Sequence, residues 1–104
     1  MISKSVLAQI KAKLAEAFGY RFQGVILYGS EARNQAQPDS DIDLLVLLSK
    51  PTDHCRDSWT CINALYSIVL EQERPIHCHP IDSDIYEKQE APLYQHAKQE
   101  GILL

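Results

Sequence analysis

The stretch YGSEARNQAQPDSDIDL, Tyr28 to Leu44, lies between two apolar runs and decides how the 104-residue chain is read. Gly29-Ser30 closes the first run, and after a gap of ten residues Asp41-Ile42-Asp43 opens the second. Alternate residues of a strand face the same way, so Asp41 and Asp43 project side by side, about 6–7 Å apart along the chain. Such a pair suits a hard divalent cation carrying a polyphosphate, because magnesium prefers oxygen ligands and usually takes one or two carboxylates from a protein. A glycine beside a small hydroxyl residue lets backbone N–H groups come close to phosphate oxygens. The two halves together describe a metal–nucleotide site.

On the N-terminal side, Ser3 to Phe18 has Val6, Ile10, Leu14 and Phe18, with Leu7 and Ala17, at helical intervals. Ser3 or Ser5 is placed to cap this helix and Gly19 to end it. Phe22 to Tyr28 reads as the first strand. Glu31 to Ser40 is a polar loop with a turn signal at Pro38-Asp39. Asp41 to Leu48 is a second strand, and its unbroken apolar run from Leu44 to Leu48 predicts burial on both faces. Asp53 is a cap candidate for a helix from His54 to about Gln72, in which Trp59, Ile62, Leu65, Tyr66, Val69 and Leu70 keep helical spacing. Pro75 to Ile81 is a third strand, Asp82 to Glu87 a connection, and Pro92 to Glu100 a last helix stopped by Gly101. The order α-β-β-α-β-α predicts an α/β (α+β) fold on one sheet.

The length suits a single domain over residues 1–104. Hydrophobic residues at 45% and charged residues at 23% are ordinary for a water-soluble chain. No run reaches the roughly 20 apolar residues of a membrane helix. Lysines interrupt the apolar pattern of the N-terminus, unlike a secretory leader, so a cytoplasmic location is expected. A formal charge of −4 argues against direct nucleic-acid binding, which rests on clustered Lys and Arg. Cys55, Cys61 and Cys78 are an odd number without a secretory leader, which argues against a disulfide framework.

Gly29-Ser30, the ten-residue gap and Asp41-Ile42-Asp43 resemble the signature of the DNA polymerase β-like nucleotidyltransferases. Ala32-Arg33, Pro38-Asp39-Ser40, the short length and the ending Glu100-Gly101-Ile102-Leu103-Leu104 resemble the minimal nucleotidyltransferase subfamily. The resemblance implies a small mixed β-sheet flanked by helices, with the Gly-Ser and Asp-x-Asp strands adjacent. It also implies ATP as substrate, with Gly29 and Ser30 on the phosphates. Mg²⁺, or alternatively Mn²⁺, would be held by Asp41 and Asp43. Arg33 is a candidate bidentate phosphate donor, or equally a surface arginine. Minimal nucleotidyltransferases are often encoded beside a helical HEPN-type protein, so the resemblance further implies an antitoxin role and a HEPN-family protein partner. A homo-oligomer is left open.

One position departs from the family pattern. A later strand usually supplies a third carboxylate, which serves a second metal ion or the incoming hydroxyl. Here the segment is Pro75-Ile76-His77-Cys78-His79-Pro80-Ile81, with His77 where the acid aligns; Asp82 and Asp84 are expected beyond the strand end. His77 is read as a general base, as a ligand for a softer ion, or as polar filling of a half-buried strand. A zinc site from His54, Cys55, Cys61, His77, Cys78 and His79 lacks the closely paired ligands of a knuckle or ribbon. Trp59, Tyr66 and Tyr94 are expected in the core rather than as base-stacking platforms. The tail Ile102-Leu103-Leu104 either finishes the sheet or docks on a partner. Three functions follow: a nucleotidyltransferase acting on a protein hydroxyl, a nucleotide-binding domain that neutralises a partner by forming a complex, or an acidic interaction protein whose motif spacing is coincidence.

Overall fold

The computed structural model describes residues 2–29, 31–32, 40–88 and 92–104; in the last stretch, residues 92–94 and 96 are described by their backbone alone. Helix α1 spans Lys4–Phe18. Its start is capped by the Ser3 hydroxyl, which accepts from the Val6 N–H at 3.2 Å. Gly19, at φ 59, ends it, and its N–H donates to the Ala15 carbonyl. A 3-10 turn over Gly19–Arg21 leads into β1, Phe22–Tyr28. Strand β2 is Ile42–Leu48 and helix α2 is His54–Gln72, capped by the Asp53 carboxylate on the Arg56 N–H. Strand β3 follows at Ile76–Asp82, then α3 at Ser83–Lys88, α4 at Pro92–Glu100 and β4 at Ile102–Leu103.

The sheet order is β3-β2-β1-β4. Strands β1 and β2 are antiparallel, β2 and β3 parallel, and β4 adds antiparallel to the outer side of β1. The sheet is therefore mixed, with β2 inside it. One face carries Val25, Leu27, Leu44, Val46 and Leu48 under Ile10 and Leu14 of α1 and Cys61, Leu65 and Ile68 of α2. The other carries Ile26, Leu45, Leu47 and Ile81 against Tyr86 of α3 and Ala97 of α4. Both faces are covered, which is why Leu44 to Leu48 reads as a continuous apolar run; all five residues are buried. Each such leucine, moved out of water, is worth about 1.5–3 kcal/mol.

A part-buried ion pair, from the half-buried Arg21 to the buried Asp57, locks the 3-10 turn to α2. Arg21 donates twice to Asp57, Nη1 to Oδ1 at 3.1 Å and Nη2 to Oδ2 at 2.8 Å, and once to the Pro51 carbonyl. Asp57 Oδ2 also accepts from the Asp53 N–H. The guanidinium bonds hold the Asp57 carboxyl below the usual carboxylate range despite its burial.

Three expectations need correction. Asp82 to Glu87, read as a connection, is mostly taken up by α3, which runs on to Lys88; six residues are too few for a helical period to show. Asp82 itself is the last residue of β3, with its carboxylate accepting from the Thr52 hydroxyl. Trp59 and Tyr66, expected in the core, are exposed, because α2 turns Cys61, Leu65 and Ile68 to the sheet instead. Tyr94 lies outside the described side chains. The tail alternative resolves toward the sheet: Ile102 pairs with Leu27 and Leu103 with Ile26.

Candidate nucleotide site

In the register of the sheet, Tyr28 of β1, Asp43 of β2 and His77 of β3 form one row across it, on the face that carries Leu45 and Ile81 further along. The burial sequence exposed, buried, half-buried at Asp41, Ile42 and Asp43 is what strand alternation requires of two carboxylates flanking a core isoleucine. His77 Nδ1 lies 3.8 Å from Asp43 Oδ1, with the imidazole largely exposed. Beside His77 on the same face, His79 meets the ring of His54, centroid to centroid at 5.7 Å. Burial, then the neighbouring His54 and His77, lower the His79 pKa. Burial, reinforced by Asp43, raises that of Tyr28.

Gly29 explains how the two halves of the motif fit together. Its φ is 78, a left-handed conformation that side chains disfavour, and a Cβ built there would stand 2.6 Å from Asp43 Oδ2. The glycine thus leaves space that the Asp43 carboxylate occupies, while its own backbone stays against that carboxylate. Ser30 and Arg33, the other phosphate-binding candidates, lie outside the described residues.

A buried pair, which the sequence did not suggest, holds the two ends of the motif loop. Glu31, next after the Gly-Ser pair, is buried and lies 2.6 Å from Arg74 Nη2, a close ion pair without the alignment of a hydrogen bond. Its other carboxylate oxygen accepts from the Ile2 N–H at 3.1 Å. Arg74 Nε donates to the Ser40 carbonyl at 2.9 Å, just before Asp41. Glu73 takes a left-handed φ of 53 at the end of α2, where the chain turns toward β3. One guanidinium therefore ties the exit from β1 to the entry into β2. The partners are 43 positions apart, and no local pattern marks them.

Among the described residues, no three His, Cys, Asp or Glu side chains converge on one metal position. Asp41 and Asp43 offer carboxylate oxygens at a partly open strand start, a donor set that fits a hard cation completed by phosphate oxygens and water. The position opposite Asp43 on β3 is an imidazole, not a carboxylate. Asp82 is five residues further along that strand, about 16 Å away at strand spacing, and Asp84 pairs with Lys50 at 3.1 Å.

Comparison with known proteins bears on the fold and the family. No curated protein matches the chain at a significant level. Among solved structures, a toxin-antitoxin crystallised with AMP-PNP superposes with a TM-score of 0.66 at 17% identity, over 98% of this chain and 72% of that one. A mutant of the toxin-antitoxin MntA-HpeT gives 0.64 at 18% identity, over 100% and 72%. The spectinomycin adenyltransferase AAD(9) from Enterococcus faecialis, crystallised with ATP and spectinomycin, gives 0.62 at 19%, over 86% of this chain and 36% of that one. At these identities the likeness is one of fold. The family model described as a nucleotidyltransferase domain matches residues 7–101, nearly the whole chain and every strand of the site row, and this chain belongs to that family.

Proposed function

We propose that the chain is a minimal nucleotidyltransferase that moves AMP from ATP to a hydroxyl of a protein partner. In this reading it is the cytoplasmic antitoxin half of a HEPN/MNT toxin–antitoxin pair. The observation that carries the proposal is the packing of the Asp43 carboxylate against Gly29, with Asp41 two residues away and the Glu31–Arg74 pair fixing the loop ends. Transfer of this kind asks a protein mainly for positioning and for neutralising developing charge. Gly29 and Ser30 hold the phosphates, with Arg33 as a further donor. Asp41 and Asp43 hold Mg²⁺ or Mn²⁺, which when bound neutralises the triphosphate. The acceptor oxygen attacks the α-phosphorus, the bond to the bridging oxygen of the β-phosphate breaks, and pyrophosphate leaves. His77, within 3.8 Å of Asp43, receives the hydroxyl proton.

The imidazole in place of a third carboxylate favours a second reading, in which the site binds nucleotide and protects the partner by complex formation alone. One experiment separates the two. The purified chain is incubated with α-labelled ATP, Mg²⁺ or Mn²⁺, and the protein encoded beside it. Transfer gives a partner heavier by one AMP per event, abolished in Asp43→Asn and reduced in His77→Ala. A protected partner of unchanged mass supports the second reading and overturns the first.

A further inference from the structure

We infer that the solvent face of α2 is a dimer interface, on which two copies of this chain pack α2 against α2 in antiparallel orientation. Four large apolar side chains stand in water on this helix: Trp59 at 65%, Ile62 at 52%, Tyr66 at 59% and Leu70 at 60% exposure. Their steps of three, four and four residues place them on one stripe about 80° wide at 100° per residue. The helix buries a separate stripe, Cys61, Leu65 and Ile68, in its own core, so the outer one is not needed to hold the fold. Single exposed apolar residues are ordinary, but a contiguous patch of this kind marks an interaction surface.

The occupant is read from the order of residues along the stripe. In an antiparallel pair about a two-fold axis between Ile62 and Tyr66, Ile62 meets the second copy's Tyr66, and Trp59 falls level with its Val69, beside Leu70. The same register brings Arg56 level with Gln72 of the other copy and next to Glu73, the cap that follows its last turn, at both ends; Arg56 and Glu73 are exposed. A parallel pair would set Arg56 against Arg56 and Glu73 against Glu73. Charge therefore selects the antiparallel arrangement, and the opposed helix dipoles favour it too. A recess of about 210 Å³ between α2 and β3, lined by Leu65, Val69, Ile76 and Cys78, lies beside Ile62 and Tyr66 at the level of the axis. It gives the partner copy's side chains a place to enter. Aromatic residues bury roughly 150–250 Å² each when covered, so the stripe and its borders remove about 500 Å² per copy from water. That total of about 1,000 Å² is at the lower limit for a specific interface, the size class of weak, transient contacts. The inference does not depend on the nucleotide site.

Sedimentation velocity on the full chain, from about 1 to about 200 μM, covers the range in which a weak, transient dimer forms. The mass should rise from one copy to two. The emission of Trp59, the chain's single tryptophan, should move to the blue over the same range. Ile62→Lys and Tyr66→Lys should remain monomeric with unchanged melting temperatures. Arg56→Glu and Glu73→Arg should each raise the dissociation midpoint about tenfold, and the double swap should restore it. A monomer at every concentration overturns the inference, as does a dimer indifferent to Ile62→Lys, a double swap without recovery, or a stripe that binds a different protein and never its own copy.

Discussion

At Gly29 the backbone takes φ 78 and the Asp43 carboxylate fills the place a side chain would need. A Gly29→Ala substitution therefore meets two penalties, a left-handed alanine and a contact of 2.6 Å that must relax. We expect a loss of about 1–2 kcal/mol of stability in a urea titration, with weaker nucleotide binding as Asp43 is displaced. Asp57 is a second informative residue. Its folded pKa lies below the value it has in the unfolded chain, because Arg21 holds it ionised. The resulting stability is complete above the unfolded carboxylate pKa, near 4, and is lost as pH falls through the lower folded value. Asp57→Asn, which leaves Arg21 without its carboxylate, should cost about 3 kcal/mol at pH 7. Denaturant curves at pH 7 and at pH 2.5 or so should show the gap between wild type and variant shrinking in acid. Gly29, Asp41 and Asp43 stand out as candidates in the sequence because they are concentrated in short segments, and His77 does so only through the family pattern it departs from. Glu31 and Arg74 could not, since a charged residue beside a loop normally signals solvent and only the fold shows each to be the other's partner.

Among the elements, the motif loop is anchored from outside itself. Arg74, at the end of α2, reaches Glu31 after β1 and Ser40 before β2. Removing one member leaves a buried charge unpaired, so Arg74→Ala should cost about 3–5 kcal/mol. The double variant Glu31→Leu/Arg74→Met replaces both charges with apolar volume and should recover most of that stability. It also loses the bond to Ser40, so its nucleotide affinity should stay low although its melting curve is restored. Thermal melts alongside nucleotide titrations check both halves. The long elements were legible because their periods are long: α1, α2 and β2 agree with expectation to within a residue or two at the ends. Helix α3 and strand β4 are too short to establish a period. Helix α2 shows a different limit. It carries two apolar stripes, and spacing alone does not say that Leu65 faces the sheet while Trp59 faces water.

Across the molecule, the two sides of the sheet are used differently. One is covered by α1 and α2. On the other, the cluster formed with α3 and α4 reaches as far as Tyr28, which shares its row with the half-buried Asp43 and the exposed His77. No described helix is long and apolar enough to cross a membrane. The row at the start of β2 is the centre of the functional account, and nucleotide affinity reports on it whether or not transfer follows. Isothermal titration of the chain with ATP and Mn²⁺, wild type against Asp43→Asn, is the direct test. Saturable binding of one nucleotide per chain, weakened at least about tenfold by the substitution, or about 1.4 kcal/mol, is the predicted result. Heat no greater than dilution in the wild type, or equal affinity in the two proteins, would contradict it.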